Sequence, residues 1–399
     1  MKKVDRFLNS DILIEILSRV PAKDLLSLKL VNKEWHRLIS SRCFVEAQLQ
    51  RTKEEEALTG FIFQEKFMWC NEDIKTISYI SVEENTKGGG GSKVKQKVFD
   101  FLPEDVVMMA SCKGLVCSRS CFPSEEPFIY VCNPSNKEWV KLEWPWPITH
   151  YDCLRSMAIA LAFDYDPSKG FVEKFKLVRV KLVEVEGDEE GEGEGELFIT
   201  FELYPAEKGA WKTSNEICQC YSKMVNSGGI YIGGVMHWLN GDRVLTFNVE
   251  NELSWLVPAP VPASEFIAVP EACIGESEGR LSYVFVSEQG VHIWCLEDYY
   301  DYKWAIVYCK PLEEIEGEWP QFFMNLRSHV LERVNGPWVN PLAFKDGILL
   351  MKVCVSLYLF DVKNNSMTEA CSIQDLKSQC MFSPTVIAHS LSLVHLSPA

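Results

Sequence analysis

No apolar run in this 399-residue chain is long enough to cross a bilayer: the longest, residues 348–360, is broken by Lys352, whereas a helical span needs about 20 apolar residues. The first residues, Met1-Lys-Lys-Val-Asp-Arg6, lead into no apolar signal segment. Neither membrane insertion nor secretion is therefore expected, and the residence expected is intracellular, in nucleus and/or cytoplasm. A disulfide framework is missing too. The fifteen cysteines are odd in number and mostly sit inside apolar strand-like runs such as Leu115-Val-Cys117 and Val353-Cys-Val355, the pattern of buried reduced thiols. Basic residues are in deficit, 40 against 56 acidic, for a formal net charge of −16. There is no P-loop, no G-x-G-x-x-G and no H-E-x-x-H, so the local signatures of nucleotide binding and zinc proteolysis are absent.

The charge deficit is uneven. Residues 1–53 carry eleven Lys and Arg against six Asp and Glu, so this end is near +5 and the remainder near −21. A nucleic-acid partner is not expected for the larger part, because phosphate contacts need a basic surface. Twelve Trp and twenty-two Phe suit a β-rich interior.

The basic end reads as three short amphipathic helices. The first spans about residues 11–20, with Ser10 as N-cap, Asp11 in the first turn and Pro21 closing it. Ile12, Leu13, Ile16, Leu17 and Val20 fall at helical spacing and form one broad apolar face. Leu25, Leu26, Leu28 and Leu30 lie on a second helix; Asn32 caps a third that carries Trp35, Leu38 and Ile39 at i, i+3, i+4. So small a unit has too little interior to hide this much Leu, Ile and Trp, and the surplus must be covered by something else.

Asp11-Ile-Leu-Ile-Glu-Ile-Leu-Ser-Arg-Val-Pro-Ala-Lys-Asp-Leu-Leu26, followed by Val31-Asn-Lys-Glu-Trp35 and Leu38-Ile-Ser-Ser41, resembles the F-box in the form common in plant proteins. The resemblance implies docking onto the Skp-type adaptor of a cullin-RING ubiquitin ligase, through Leu8, Ile12, Leu13, Ile16, Leu17, Pro21, Leu25, Val31 and Trp35. Read as packing alone, Ile12, Leu13, Ile16, Leu17, Leu25, Val31 and Trp35 are the core of a small helical domain, and some must be core in either case. Asn9 stands where the family usually has Pro, which removes a rigid turn ahead of the first helix.

Beyond a charged, helix-compatible stretch over residues 45–57, the pattern changes to short β-branched and aromatic runs separated by Gly, Pro, Asn and Asp. That change divides the chain into residues 1–50 and 57–397. Two segments are of low complexity: Gly88-Gly-Gly-Gly-Ser92, a flexible loop or a linker by composition, and the acidic 186–196, expected as a loop between strands.

The long part repeats loosely. Gly114-Leu-Val-Cys leads to Asn133 and Trp139; Gly234-Val-Met-His-Trp-Leu leads to Asn248 and Trp255. Gly279-Arg-Leu-Ser-Tyr leads to Trp304, and Gly347-Ile-Leu-Leu-Met leads to Asp361 and Met367. Weaker copies around Ala162-Phe-Asp164 and around Phe198 with Trp211 would make the 228 residues from Asn133 to Asp361 five steps averaging about 46, in the range of propeller blades. A lone meander cannot bury both faces, whereas blades packed around an axis can. The expected architecture is therefore multidomain, α plus all-β: a three-helix unit followed by a propeller of six to eight blades.

Ser111-Cys-Lys-Gly-Leu-Val-Cys117, Tyr130-Val-Cys-Asn-Pro-Ser-Asn-Lys-Glu-Trp139 and Gly234-Val-Met-His-Trp-Leu239 are similar to the successive motifs of plant F-box-associated domains, which are kelch-like. The resemblance implies that this domain binds a target protein for ubiquitination. The Gly, Asn and Trp landmarks themselves read as turn and packing residues, with the target site on variable loops.

Other candidate chemistry is set aside on context. Gly275-Glu-Ser-Glu-Gly279 fits a nucleophile-elbow expression, but it lacks the strand-to-helix flanks and reads as an acidic hairpin loop, so Ser277 is not expected to be catalytic. Cys112, Cys117, Cys121 and Cys132, or Cys218 and Cys220, lack the paired spacing of structural zinc sites. His237, inside an apolar strand beside Trp238, reads as a hydrogen-bonded core histidine, and 93–97, KVKQK, is too short for a nuclear signal. The expected function is a non-catalytic substrate-recognition subunit of an SCF-type ligase, without cofactor or metal. The alternatives are an F-box scaffold that directs no degradation and, more remotely, a propeller enzyme or sugar-binding module.

Overall fold

A computed structural model describes residues 10–51, 58–64, 77–83, 94–96, 98–121, 124, 126–145, 158–163, 175–185, 196–222, 228–332, 339–372 and 384–396. Its N-terminal unit has four helices, one more than expected: α1 Ser10–Leu17, α2 Ala22–Leu28, α3 Lys33–Ile39 and α4 Arg42–Arg51. The fourth starts earlier than the charge pattern suggested because Ser41 sets it up, donating to Leu38 O at 2.6 Å and accepting from Phe44 N at 3.3 Å. Asn32 caps α3 as expected, its Oδ1 accepting from Glu34 N at 2.9 Å and Trp35 N at 2.8 Å. Leu17, Leu25, Ile39, Phe44 and Val45 form the interior of the unit together with Leu393, from the far end of the chain.

The rest is a series of antiparallel four-strand meanders. The first runs β1 Gly60–Gln64, β2 Ser78–Ser81 and β3 Val94–Gln96. The second holds β4 Val106–Cys112, β5 Leu115–Ser120, β6 Phe128–Asn133 and β7 Glu138–Glu143. The third holds β8 Ala158–Phe163, β9 Phe175–Val185, β10 Glu196–Pro205 and β11 Lys212–Cys220. The fourth holds β12 Ile230–Ile232, β13 Val235–Asn240, β14 Arg243–Asn248 and β15 Leu253–Pro258. Next come β16 Glu271–Ser277, β17 Arg280–Ser287, β18 Gly290–Asp298 and β19 Lys303–Lys310. β20 Val339–Lys345, β21 Ile348–Val353, β22 Ser356–Asp361 and β23 Ser366–Ser372 follow. β24 Thr385–His389 then returns to pair with β1, from Gly60↔His389 to Gln64↔Thr385, so the C-terminal strand completes the first sheet. The innermost strands β24, β4, β8, β12, β16 and β20 neighbour one another in that cyclic order.

The expected six to eight separate blades are not what the hydrogen bonds form. Among the described residues there are five sheets, four of four strands and one of eight. The eight-stranded sheet arises because β16 and β20 pair in parallel at Gly275↔Phe344 and Glu276↔Lys345, joining two meanders. Gly275 permits this: a Cβ there would lie 2.1 Å from Phe344 O. The five-step repeat is likewise corrected. Phe163 ends β8 while Phe198 lies on β10, so the two weaker copies belong to one sheet and Asn133 to Asp361 spans four intervals. Those intervals are long because β9 has 11 residues and β10 has 10, and because two helices missed in the sequence, α5 Leu312–Glu318 and α6 Leu326–Leu331, sit between β19 and β20.

The repeated glycines occupy equivalent places. Gly114, Gly234, Gly279 and Gly347 follow the first strand of their meanders with φ of +75°, +94°, +70° and +84°, and the residues before them, Lys113, Gly233, Glu278 and Asp346, also have positive φ. Two consecutive left-handed residues make the tight hairpin turn whose twist matches the strands. The G-x-S-x-G match resolves into such a turn: Ser277 pairs with Arg280, leaving only Glu278 and Gly279 as the loop. The 88–92 segment and 186–195 lie outside the described residues; Glu196 opens β10, and Val94 to Gln96 of the KVKQK stretch form β3.

Candidate functional site

Among the described residues the helical unit leaves four large apolar side chains in solvent. Ile12 is 48% exposed, Ile16 54%, Leu30 86% and Val31 60%. Ile12 and Ile16, four residues apart on α1, share one face. Leu30 and Val31 lie in the turn between α2 and the cap residue Asn32. Covering an isoleucine fully is worth about 1.5–3 kcal/mol, so these side chains form an unpartnered surface of some consequence.

Not all of the nine residues implied as adaptor-binding lie on that surface. Ile12, Ile16, Pro21 and Val31 are exposed, and Leu13 is partly so. Trp35 is half-buried against the helical interior, while Leu17 and Leu25 are interior residues that position the exposed ones. Leu8 lies outside the described residues. The reasoning from sequence missed the exposure of Leu30; its place just past the last turn of α2 was the available signal. Arg19 Nη2 meets Glu15 Oε1 at 2.6 Å and Arg42 Nε meets Glu46 Oε1 at 3.0 Å, exposed i,i+4 pairs that support α1 and α4 only weakly.

Several buried polar groups of the propeller have partners that suit a structural role. His237 is fully buried, its Nε2 2.8 Å from the Tyr299 hydroxyl, and burial drives its pKa down to about 3. Burial, with Lys345 adding, drives His389 down to about 4. Cys117 and Cys132 are buried, with thiols pushed up by desolvation, and Cys112 Sγ lies 3.9 Å from Phe163 O, while Cys121 is half-exposed. Arg179 of β9 reaches Glu202 of β10 at 2.8 Å and lies over the Trp144 ring at 5.4 Å. Ser277, at the end of β16, is followed by another strand. Cys218 and Cys220 are placed together on β11, and among the described residues no three His, Cys, Asp or Glu side chains converge as a metal would need.

Comparison with known proteins gives a family match in each of the two parts. The F-box domain family matches residues 7–46. Residues 92–324 match the family described as F-box protein At3g26010-like, beta-propeller. F-box protein At5g49610 of Arabidopsis thaliana is 24% identical over 330 residues, which cover 78% of this chain and 81% of that protein. F-box protein At5g07610 of the same plant is 25% identical over 326 residues, covering 78% and 72%. Among solved structures, TolB from Acinetobacter baumannii aligns with a TM-score of 0.40 at 9% identity, covering 90% of this chain and 72% of that one, a likeness that carries no function. With an F-box ahead of a propeller match that spans more than half of its length, the chain belongs to the F-box protein At3g26010-like β-propeller family.

Proposed function

We propose that this chain is the substrate-recognition subunit of an SCF-type ubiquitin ligase in the nucleus and/or cytoplasm. Its helical unit docks a Skp-type adaptor, and through it a cullin; the propeller over residues 57–397 holds a target protein. The observation that carries the reading is the exposed pair Ile12 and Ile16 on the first helix of a matched F-box. Exposed apolar residues on connections of the propeller, Ile267 and Val269 between β15 and β16 and Met324 between α5 and α6, support target docking on loops. The subunit performs no bond chemistry on this reading and needs no cofactor. It raises the effective concentration of target lysines near the ubiquitin-loaded enzyme, and rate follows from proximity.

The test is capture of a plant Skp-type adaptor by the full chain, beside Ile12→Asp and Ile16→Asp. Both side chains are solvent-exposed, so the substitutions leave folding intact and each is expected to weaken capture about 10-fold or more by placing a charge in an apolar contact. Undiminished capture by both folded variants would remove α1 from the docking surface and sink the reading.

A further inference from the structure

The turn before the last strand of a meander recurs in four places, each time built on an Asn or Asp oxygen. Asn133 accepts from Ser135 N, Asn248 from Glu250 N and Asn251 N, Asp298 from Tyr300 N and Asp301 N, and Asp361 from Asn364 N. Since Asp serves as well as Asn, the turn needs only the acceptor. At Asn133 the amide nitrogen has a second use: it donates to Ser392 O at 3.2 Å and to Val394 O at 2.6 Å. Asn136 Nδ2 donates to Val394 O at 3.0 Å, Leu396 N donates to Glu138 Oε2 at 2.8 Å, and His395 Nδ1 lies 2.7 Å from Glu138 Oε1. At the β4–β5 turn of the same sheet, a Cβ on Gly114 would lie 2.3 Å from Ser392 Cβ, so the chain can pass only over a glycine.

Residues 390–396 thus cross the β4–β7 sheet without secondary structure of their own. Their side chains go two ways. Leu393 is buried among Leu17, Leu25, Ile39 and Phe44 of the helical unit; Val394 and Leu396 are buried with Leu115, Val131 and Leu142 of the sheet. Leu49 of α4 packs against both groups. Lys29, just past α2, is partly buried, its ammonium destabilised by desolvation and partly restored by the charge of Glu138.

We propose that residues 390–396 are a coupling strap that holds the F-box helices in one fixed orientation on the propeller, with Asn133 and Glu138 as positioning residues. Domains joined only by a chain reorient freely by default; a leucine shared with one core and neighbours anchored in the other remove that freedom. The geometry concerns this chain alone. Its consequence rests on the proposed function: a rigid orientation fixes where a bound target stands relative to the adaptor.

The full chain provides the test through two exposed native cysteines, Cys43 on α4 and Cys309 on β19, spin-labelled with the other accessible cysteines replaced by Ser. The parent is expected to give one narrow distance distribution. Asn133→Asp keeps the turn acceptor, as Asp298 and Asp361 show, but loses both donations to the strap and sets a carboxylate against two carbonyls. It is expected to broaden the distribution about twofold or more while circular dichroism is unchanged. Leu393→Asp is expected to do the same from the helical side, and should it fail to fold, Asn133→Asp decides. A parent that is already broad, or an Asn133→Asp as narrow as the parent, overturns the strap. Adaptor capture by the same proteins reads the other proposal separately: retained capture with broadened distances supports both, and lost capture by a narrow parent sinks only the docking role.

Discussion

Three histidines are buried with their pKa lowered by desolvation, and two of them, His237 and His389, predict an acid sensitivity that can be assigned to single side chains. His237 and His389 are neutral in the fold, driven by burial to about 3 and about 4, against about 6.5 in an unfolded chain. As the pH drops below about 6.5, the unfolded chain takes up protons that the folded chain refuses. The stability tied to these residues is therefore fully present above that pH and is lost progressively down to about 4 for His389 and about 3 for His237. Urea midpoints measured across this window should fall with pH, and His237→Gln, which can still reach the Tyr299 hydroxyl, should flatten the fall. Carboxylates add to the acid slope in both proteins, so the difference between them is the informative quantity, and parallel profiles would contradict the assignment.

At the scale of elements, the junction of β16 with β20 depends on the absence of one side chain. Gly275→Ala would set a methyl group 2.1 Å from the Phe344 carbonyl, in backbone that cannot swing aside as a side chain could. The junction must open or the strands must shift, at a cost of about 1–3 kcal/mol by analogy with overpacked sites. Gly279→Ala is the control: its φ of +70° carries the left-handed penalty of about 1 kcal/mol, while among the described residues nothing beyond its own chain neighbours lies within 4 Å of the new methyl group. Equilibrium denaturation should rank Gly275→Ala as the more damaging of the two. Helices α5 and α6 belong to the same region, since Leu312, Ile315, Trp319, Phe323 and Leu326 fill the space between the two meanders that β16 and β20 join. Their 7 and 6 residues are too few to show a helical period, and it is burial between sheets that makes them helical.

For the whole molecule, the shared core predicts joint unfolding. Leu393 closes the interior of the helical unit while Val394 and Leu396 lie in that of the β4–β7 sheet, so loss of one core exposes the other. Trp35 is the one tryptophan of the four N-terminal helices, which also hold most of the helical residues among those described, so tryptophan emission reports mainly the propeller and helical circular dichroism mainly the N-terminal unit. The two signals are expected to vanish in one coincident thermal transition, and to separate when residues 390–399 are removed. Separate transitions in the intact chain would show that the cores are independent.

The sequence by itself determined the features that rest on neighbours in the chain. The helical spacing of Ile12, Leu13, Ile16 and Leu17, the Asn32 cap, the Gly turns and the Asn133 to Trp139 motif all act within a few residues, and they made the F-box and the propeller legible. Burial of His237 was legible for the same reason, since an apolar strand surrounds it. Tertiary structure decided the rest. Ile16 and Leu17 are adjacent and equally apolar, and only the packing of four helices around Leu393 sends one to solvent and the other inside. The joining of β16 to β20 brings together Gly275 and Phe344, and the strap brings Asn133 to Val394, pairs whose separation along the chain leaves no periodic trace. Local interactions write themselves into short-range pattern; contacts between distant segments are settled by which surfaces can bury each other, and that becomes visible only when the chain has closed on itself.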